Sequence, residues 1–232
     1  MSIYSIGDLH LSLSMDKPMD VFGKQWENHV SKIESAWVKT ITKDDIVLVS
    51  GDTSWAVKFK EAEKDLKYLQ DLPGKKLLIK GNHDYWWQSI KKMQGVYSDI
   101  NFIQNNSFIY NDNIGICGTR GWVCPGSKFY SKEKDEKIYL REVNRLRLSL
   151  QSLPSHIKEI IAVLHYPPTN ENLERSGFIE LIEEYSVKHV IYGHLHGEES
   201  FDLSIKGQYN DIKYHLVSAD YLDFNPKLII DN

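Results

Sequence analysis

Along this chain, short apolar runs repeatedly break off into residues that can hold protons or metal ions. Leu77-Leu78-Ile79 leads through Lys80-Gly81 into Asn82-His83-Asp84, and Ile3-Tyr4-Ser5-Ile6 leads through Gly7 into Asp8-Leu9-His10. Ile46 to Ser50 runs into Gly51-Asp52, Ile160 to Leu164 stops on His165, and Val190-Ile191-Tyr192 enters Gly193-His194-Leu195-His196. Runs of this length predict five buried strands, each delivering polar side chains to its carboxyl end. The segments between them carry a different period. Trp26, Val30, Ile33, Trp37 and Ile41 recur at spacings of four, three, four and four, which predicts a helix from about Gln25 to Ile41 with one buried stripe. Phe59, Ala62, Leu66 and Leu69 predict a second helix, stopped by Pro73-Gly74. Tyr139, Val143, Leu146, Leu150 and Leu153 predict a third, ended by Pro154, and a short fourth surrounds Phe178, Leu181, Ile182 and Tyr185.

Strands and helices that alternate from end to end predict an α/β fold, read here as a single domain over residues 1–232 because no linker or low-complexity stretch interrupts it. In open α/β sheets, ligands bind outside the carboxyl ends of the strands, so the five polar ends are expected to meet in one cleft. Phe102-Ile103, Phe108-Ile109-Tyr110 and Ile114-Gly115-Ile116-Cys117, separated by Asn-rich turns, predict antiparallel strands of a second sheet. Phe201 to Ile205, Ile212 to Val217 and Leu228 to Ile230 read as further hairpin-like strands.

Composition narrows the classes. A hydrophobic fraction of 41% supplies a core, and no apolar run approaches the roughly 18 residues of a membrane span. The first strand supplies Asp8 and His10 so close to Met1 that signal-peptide removal would take part of the cluster, and two cysteines, Cys117 and Cys124, make no disulfide framework. A cytoplasmic protein is expected. The net charge of −4 without a long basic run argues against long nucleic acids as partners.

Asp8, His10, Asp52, Asn82, His165, His194 and His196 together offer four imidazoles, two carboxylates and an amide. Such nitrogen and oxygen donors without thiolate suit Mn, Fe, Zn or Co, with Mn the first choice. Seven protein ligands exceed what one catalytic ion with an open position takes, and suit two ions about 3.5 to 4 Å apart. Two divalent cations against two carboxylates leave the site near +2, which favours an anionic substrate and an ion-bound hydroxide as nucleophile. Three further features each have two readings. His29 is a substrate contact or a surface or capping histidine. Arg120, between Gly118 and Gly121, grips phosphate or makes an ion pair. Tyr85-Trp86-Trp87 is a stacking platform or core packing. His156, His189 and His215 lie outside any cluster and read as structural.

The ordered blocks Asp-x-His, Gly-Asp, Gly-Asn-His-Asp, a lone His and Gly-His-x-His resemble the calcineurin-like metallophosphoesterase superfamily over nearly the whole chain. That resemblance implies a four-layer αββα sandwich of two mixed sheets with a dinuclear centre on its rim. It implies that Asp8, His10, Asp52 and His196 hold one ion and Asp52, Asn82, His165 and His194 the other, with Asp52 as the bridge. It also implies that His83 is not a ligand but serves the leaving group, and that Asp84 orients the His83 ring.

The chain departs from the protein Ser/Thr phosphatases, which carry an arginine soon after the second aspartate where this sequence reads Thr53-Ser54-Trp55-Ala56-Val57. The nuclease branch carries DNA-binding segments for which this chain has no room. A small phosphorylated substrate remains, with phosphodiester hydrolysis favoured over monoester or nucleotide diphosphate hydrolysis. A non-catalytic interaction module on the same fold would have lost ligands, and all seven are present. Amidohydrolases share His-x-His pairs but lack the Gly-Asn-His-Asp block.

Overall fold

The computed structural model describes residues 1–231. In chain order its elements are β1 (Ile3–Ile6), α1 (His29–Thr40), β2 (Ile46–Val49), α2 (Phe59–Asp71), β3 (Lys75–Ile79), α3 (Ile90–Met93), β4 (Ile100–Ile103), β5 (Phe108–Tyr110), β6 (Ile114–Thr119), α4 (Lys132–Gln151), β7 (Glu159–Leu164), α5 (Gly177–Glu184), β8 (His189–Tyr192), α6 (Glu198–Asp202), β9 (Gly207–Tyr209), β10 (Ile212–Leu216) and β11 (Lys227–Ile230). Two sheets form, with orders β11-β1-β2-β3-β4 and β5-β6-β7-β8-β10-β9. Neighbours within β1 to β4, and within β6, β7, β8 and β10, run parallel, while β11, β5 and β9 close edges antiparallel. Both sheets are mixed.

The layering follows from alternation of side chains along buried strands. In β2, Ile46 and Leu48 join the core between the sheets, while Val47 and Val49 join the core under α1 and α2. In β7, Ile161 and Val163 face the inter-sheet core, while Ile160, Ala162 and Leu164 face α4 and α5. A strand apolar on both faces needs a partner on each, which gives helix, sheet, sheet, helix. The stripe predicted from Trp26 to Ile41 is buried at Trp26, Ile33, Trp37 and Ile41, each side chain stabilising the fold by roughly 1.5 to 3 kcal/mol.

Four local expectations change. The first helix starts at His29, because Asn28 takes a left-handed φ of 52° and Lys24–Trp26 form a separate 3-10 turn. β4 extends the first sheet parallel to β3, so only β5 and β6 make the predicted antiparallel pair. Phe201 to Ile205 is no strand, since α6 covers its start and the hairpin is β9 with β10. Leu228 to Ile230 crosses to the first sheet and pairs with β1. Among the described residues, no helix is long and apolar enough to cross a membrane.

Candidate metal centre

Parallel strands put their carboxyl ends on one rim, and backbone hydrogen bonds lace the two sheets together there. Gly7 N donates to Val217 O at 2.7 Å and Ala219 N to Gly7 O at 3.1 Å, joining β1 to the end of β10. Asp8 N donates to Gly51 O and His10 N to Asp52 O, both at 3.0 Å, while Gly193 N reaches His165 O at 3.1 Å. Asp8, His10, Asp52 and His194 all have left-handed φ, 55°, 46°, 49° and 71°. A conformation that costs non-glycine residues energy, repeated at four residues on the ends of β1, β2 and β8, turns these side chains into the cleft. The glycines beside them leave no alternative. A Cβ on Gly81 would fall on the carboxylate and backbone N of Asp52, and one on Gly193 would fall on the Asp8 carboxylate.

All seven residues expected as ligands meet in one cluster. Asp52 Oδ2 lies 3.5 Å from His165 Nε2 and 4.0 Å from His10 Nε2, so it sits between the two expected sets. Asp8 Oδ1 lies 3.8 Å from both His165 Nδ1 and His196 Nε2. Ligand atoms of Asp8, His10 and His196 fall within 4.8 Å of one another, as do those of Asp8, Asp52 and His165. Asp8 is therefore as central as Asp52.

The His165 ring tests whether a cation fits. Its Nδ1 lies 3.0 Å from Ser50 O, which can only accept, so Nδ1 carries the proton and Nε2 presents a lone pair. That lone pair faces Asn82 Oδ1 at 2.6 Å and Asp52 Oδ2 at 3.5 Å. His194 Nδ1 lies 3.2 Å from the same nitrogen. Burial, together with nearby cationic groups, holds the His165 pKa down at about 3, so Nε2 stays unprotonated and suited to a metal ion. Burial likewise pulls His10 and His194 well below the usual imidazole range, keeping both rings neutral. Burial first, and the charge of Asp52 after it, raise Asp8 to about 8, and burial raises Asp52 too, penalties on the carboxylates that divalent cations would offset. His196 differs. Burial alone would lower it, but Asp220, Asp8 and Asp52 raise it to about 9.

The auxiliary residues are placed less as the sequence implied. Asp84 is fully buried and accepts from Gly81 N (2.7 Å), Thr53 N (2.9 Å), Ser54 N (3.2 Å) and Trp86 Nε1 (2.9 Å). Its oxygens bind the loops that carry Asp52 and Asn82 to each other, and do not orient the His83 ring. That ring instead packs against Trp55, centroids 4.5 Å apart, while His83 N donates to Asp52 Oδ1 at 2.8 Å. Arg120 is held by the buried Glu142 at 3.2 Å and stacks over Trp122, so its guanidinium is committed to α4 rather than open to phosphate. His29 is buried beside Trp26, next to the backbone of Leu9 and His10, and lines a separate depression with Pro18 and Asp20. Trp86 and Trp87 are core, and only Tyr85 is exposed. His189 and His215, expected to be structural and outside any cluster, stack on each other with Nδ1 and Nε2 3.1 Å apart.

Three residues near the cluster were missed. Trp55 stacks on His10 at 4.8 Å, Tyr166 packs on His194 at 3.9 Å, and Asp220 accepts from His196 Nδ1 at 2.9 Å. Asp220 had a signal. The run Ile212 to Val217 empties into Ser218-Ala219-Asp220 as the five other strands empty into theirs. Two clefts open from the centre. One of about 360 Å³ includes His10, Asp52, Trp55 and His83, the other of about 590 Å³ includes Tyr166 and Leu203, and His194 and His196 line both.

A profile of the family described as calcineurin-like phosphoesterase matches residues 1–198. No curated protein matches the chain. Among solved structures, a phosphopantetheinyl hydrolase from Mycobacterium tuberculosis superposes with a TM-score of 0.59 at 13% identity, over 100% of this chain and 96% of its own. A Plasmodium protein described as the anchor in the inner membrane complex gives 0.55 at 15% identity, over 95% of this chain and 72% of its own. A Thermus thermophilus protein gives 0.56 at 12% identity, over 98% of this chain and 97% of its own. At these identities the likeness is one of fold.

Proposed function

The chain belongs to the calcineurin-like phosphoesterase family, and from that membership in a class of metal-dependent phosphoester hydrolases we propose a dinuclear phosphodiesterase acting on a small phosphorylated substrate. The observation that carries the reading is the convergence of His165 Nε2, Asn82 Oδ1 and Asp52 Oδ2, a set of nitrogen and oxygen donors that suits a cation among them. Asp8, His10, Asp52 and His196 would hold one divalent ion and Asp52, Asn82, His165 and His194 the second, manganese being the first choice for the donor set. When bound, the pair supplies Lewis acidity toward the phosphoryl oxygens and an activated water as nucleophile.

The chain's own residues do the rest. His83, fixed by its backbone bond to Asp52 and by Trp55, lines the smaller cleft and is placed to donate a proton to the leaving oxygen. Asp220 holds the His196 ring and sets which nitrogen faces Asp8. Two clefts meeting at His194 and His196 give a place for each ester group, which favours a diester over a monoester. Two buried free cysteines agree with a reducing, cytoplasmic setting.

The test compares wild-type and Asp52→Asn protein supplied with manganese, by elemental analysis and by turnover of a bis-aryl phosphate against the mono-aryl ester. Two ions per chain and faster diester cleavage are expected, both lost in the variant. A much faster monoester reverses the diester preference, and a wild-type chain that retains no metal and turns over neither ester removes the reading.

A further inference from the structure

The larger cleft is built differently from the smaller one. Its walls are Val123, Phe129, Tyr166, Pro167, Leu195 and Leu203, and at its mouth Phe129 is 75% and Leu203 50% exposed. Large apolar side chains left open around a concave surface mark a binding site for apolar matter.

Its polar residues are largely occupied with the protein itself. Asn170 Nδ2 donates to Pro125 O at 3.0 Å, and its Oδ1 accepts from the backbone N of Asn172 and of Glu174, both at 3.1 Å. Ser204 Oγ donates to Phe201 O at 2.8 Å, and Ser127 Oγ accepts from Phe129 N at 3.1 Å. Thr169 Oγ1, buried without a partner, and the Ser200 hydroxyl are the exceptions. A sugar or a nucleobase, which needs several donors and acceptors, would find few here. Beyond His196 at the wall shared with the metal centre, the charged side chains on the lining are Lys128, Glu171 and Glu199, with no arginine among them. One cation against two carboxylates disfavours a second phosphate or other anionic group.

We propose that this cleft binds an uncharged, apolar organic group, alkyl or aryl, borne on the substrate's phosphorus as the ester substituent that is retained when the other leaves. The inference rests on the phosphodiesterase reading for the chemistry at the shared wall. It assigns the two clefts unlike roles. His83 and Trp55 line only the smaller one, which takes the leaving group, whereas His194 and His196 bring the phosphoryl group to the edge of the larger.

Calorimetric titration of manganese-supplied protein with methyl-, butyl- and octylphosphonate tests this. Binding should tighten about fourfold for each methylene until the cleft is filled. Leu203→Asp, at a half-exposed position, should flatten the series while methylphosphonate binds as in the wild type. A wild-type series independent of chain length, or an unchanged series in the variant, overturns the proposal and leaves the phosphodiesterase reading standing. A second measurement needs neither metal nor phosphonate. The uncharged fluorophore N-phenyl-1-naphthylamine should bind the metal-free wild type and not Leu203→Asp, and failure to bind the wild type overturns the subsite directly.

Discussion

Asp84→Asn separates two roles that the same side chain could have. The wild-type carboxylate accepts three bonds at Oδ1 and one, from Gly81 N, at Oδ2. An asparagine that keeps its oxygen toward Thr53, Ser54 and Trp86 must turn its NH₂ toward Gly81 N, a donor facing a donor in a fully buried site. One orphaned buried N–H costs about 1 to 3 kcal/mol. Weakening three charge-assisted bonds adds to this, and relief of the repulsion that burial and Asp52 impose on the carboxylate subtracts from it. A net loss of about 2 to 3 kcal/mol lowers the melting temperature by roughly 5 to 10 °C in a chain of this size. Because the strained loops carry Asp52 and Asn82, manganese affinity should fall by about 10- to 100-fold as well. Scanning calorimetry at pH 8 and metal titration read both. A melting temperature within a degree of wild type, together with a displaced pH profile for turnover, would refute the loop-tying role and return Asp84 to the His83 ring.

Arg120→Ala should lower stability by about 1 to 3 kcal/mol, since Glu142 keeps Arg145 at 2.9 Å, and should leave KM for a small diester within twofold. A tenfold rise in KM at unchanged melting temperature would show that the arginine holds phosphate after all. Lys76 is fully buried, its Nζ donating to Gly74 O at 2.8 Å and Gln70 O at 3.3 Å, and burial lowers its pKa from 10.5 to about 8 against the pull of Asp99 and Asp71. Between those two values the unfolded chain keeps a proton that the folded chain releases, so wild-type stability rises with pH in that window. The melting temperature of wild type minus that of Lys76→Met should therefore increase from pH 7.5 to pH 10, and a constant difference would contradict the assignment.

What the order of residues settles is everything that depends on neighbours a few positions apart. Alternation in Ile46–Val49 and Ile160–Leu164 commits both faces of a strand to burial and so demands layers on each side. The three- and four-residue spacing from Trp26 to Ile41 commits a helix, and glycine before Asp8, Asp52, Asn82 and His194 marks where backbone must crowd the site. Pairing between distant segments carries no such local mark. Ile100–Ile103 and Lys227–Ile230 look like any short strand, and only packing decides that both extend the first sheet. The same holds for side chains whose partners arrive from elsewhere. Asp84 meets Thr53 and Ser54, Arg120 meets Glu142 across a turn of chain, and His196 meets Asp220, contacts fixed by the approach of whole elements. The difference between one wall of apolar residues and another across His194 and His196 exists only once the sheets have come together, because a cleft belongs to a surface and not to a segment.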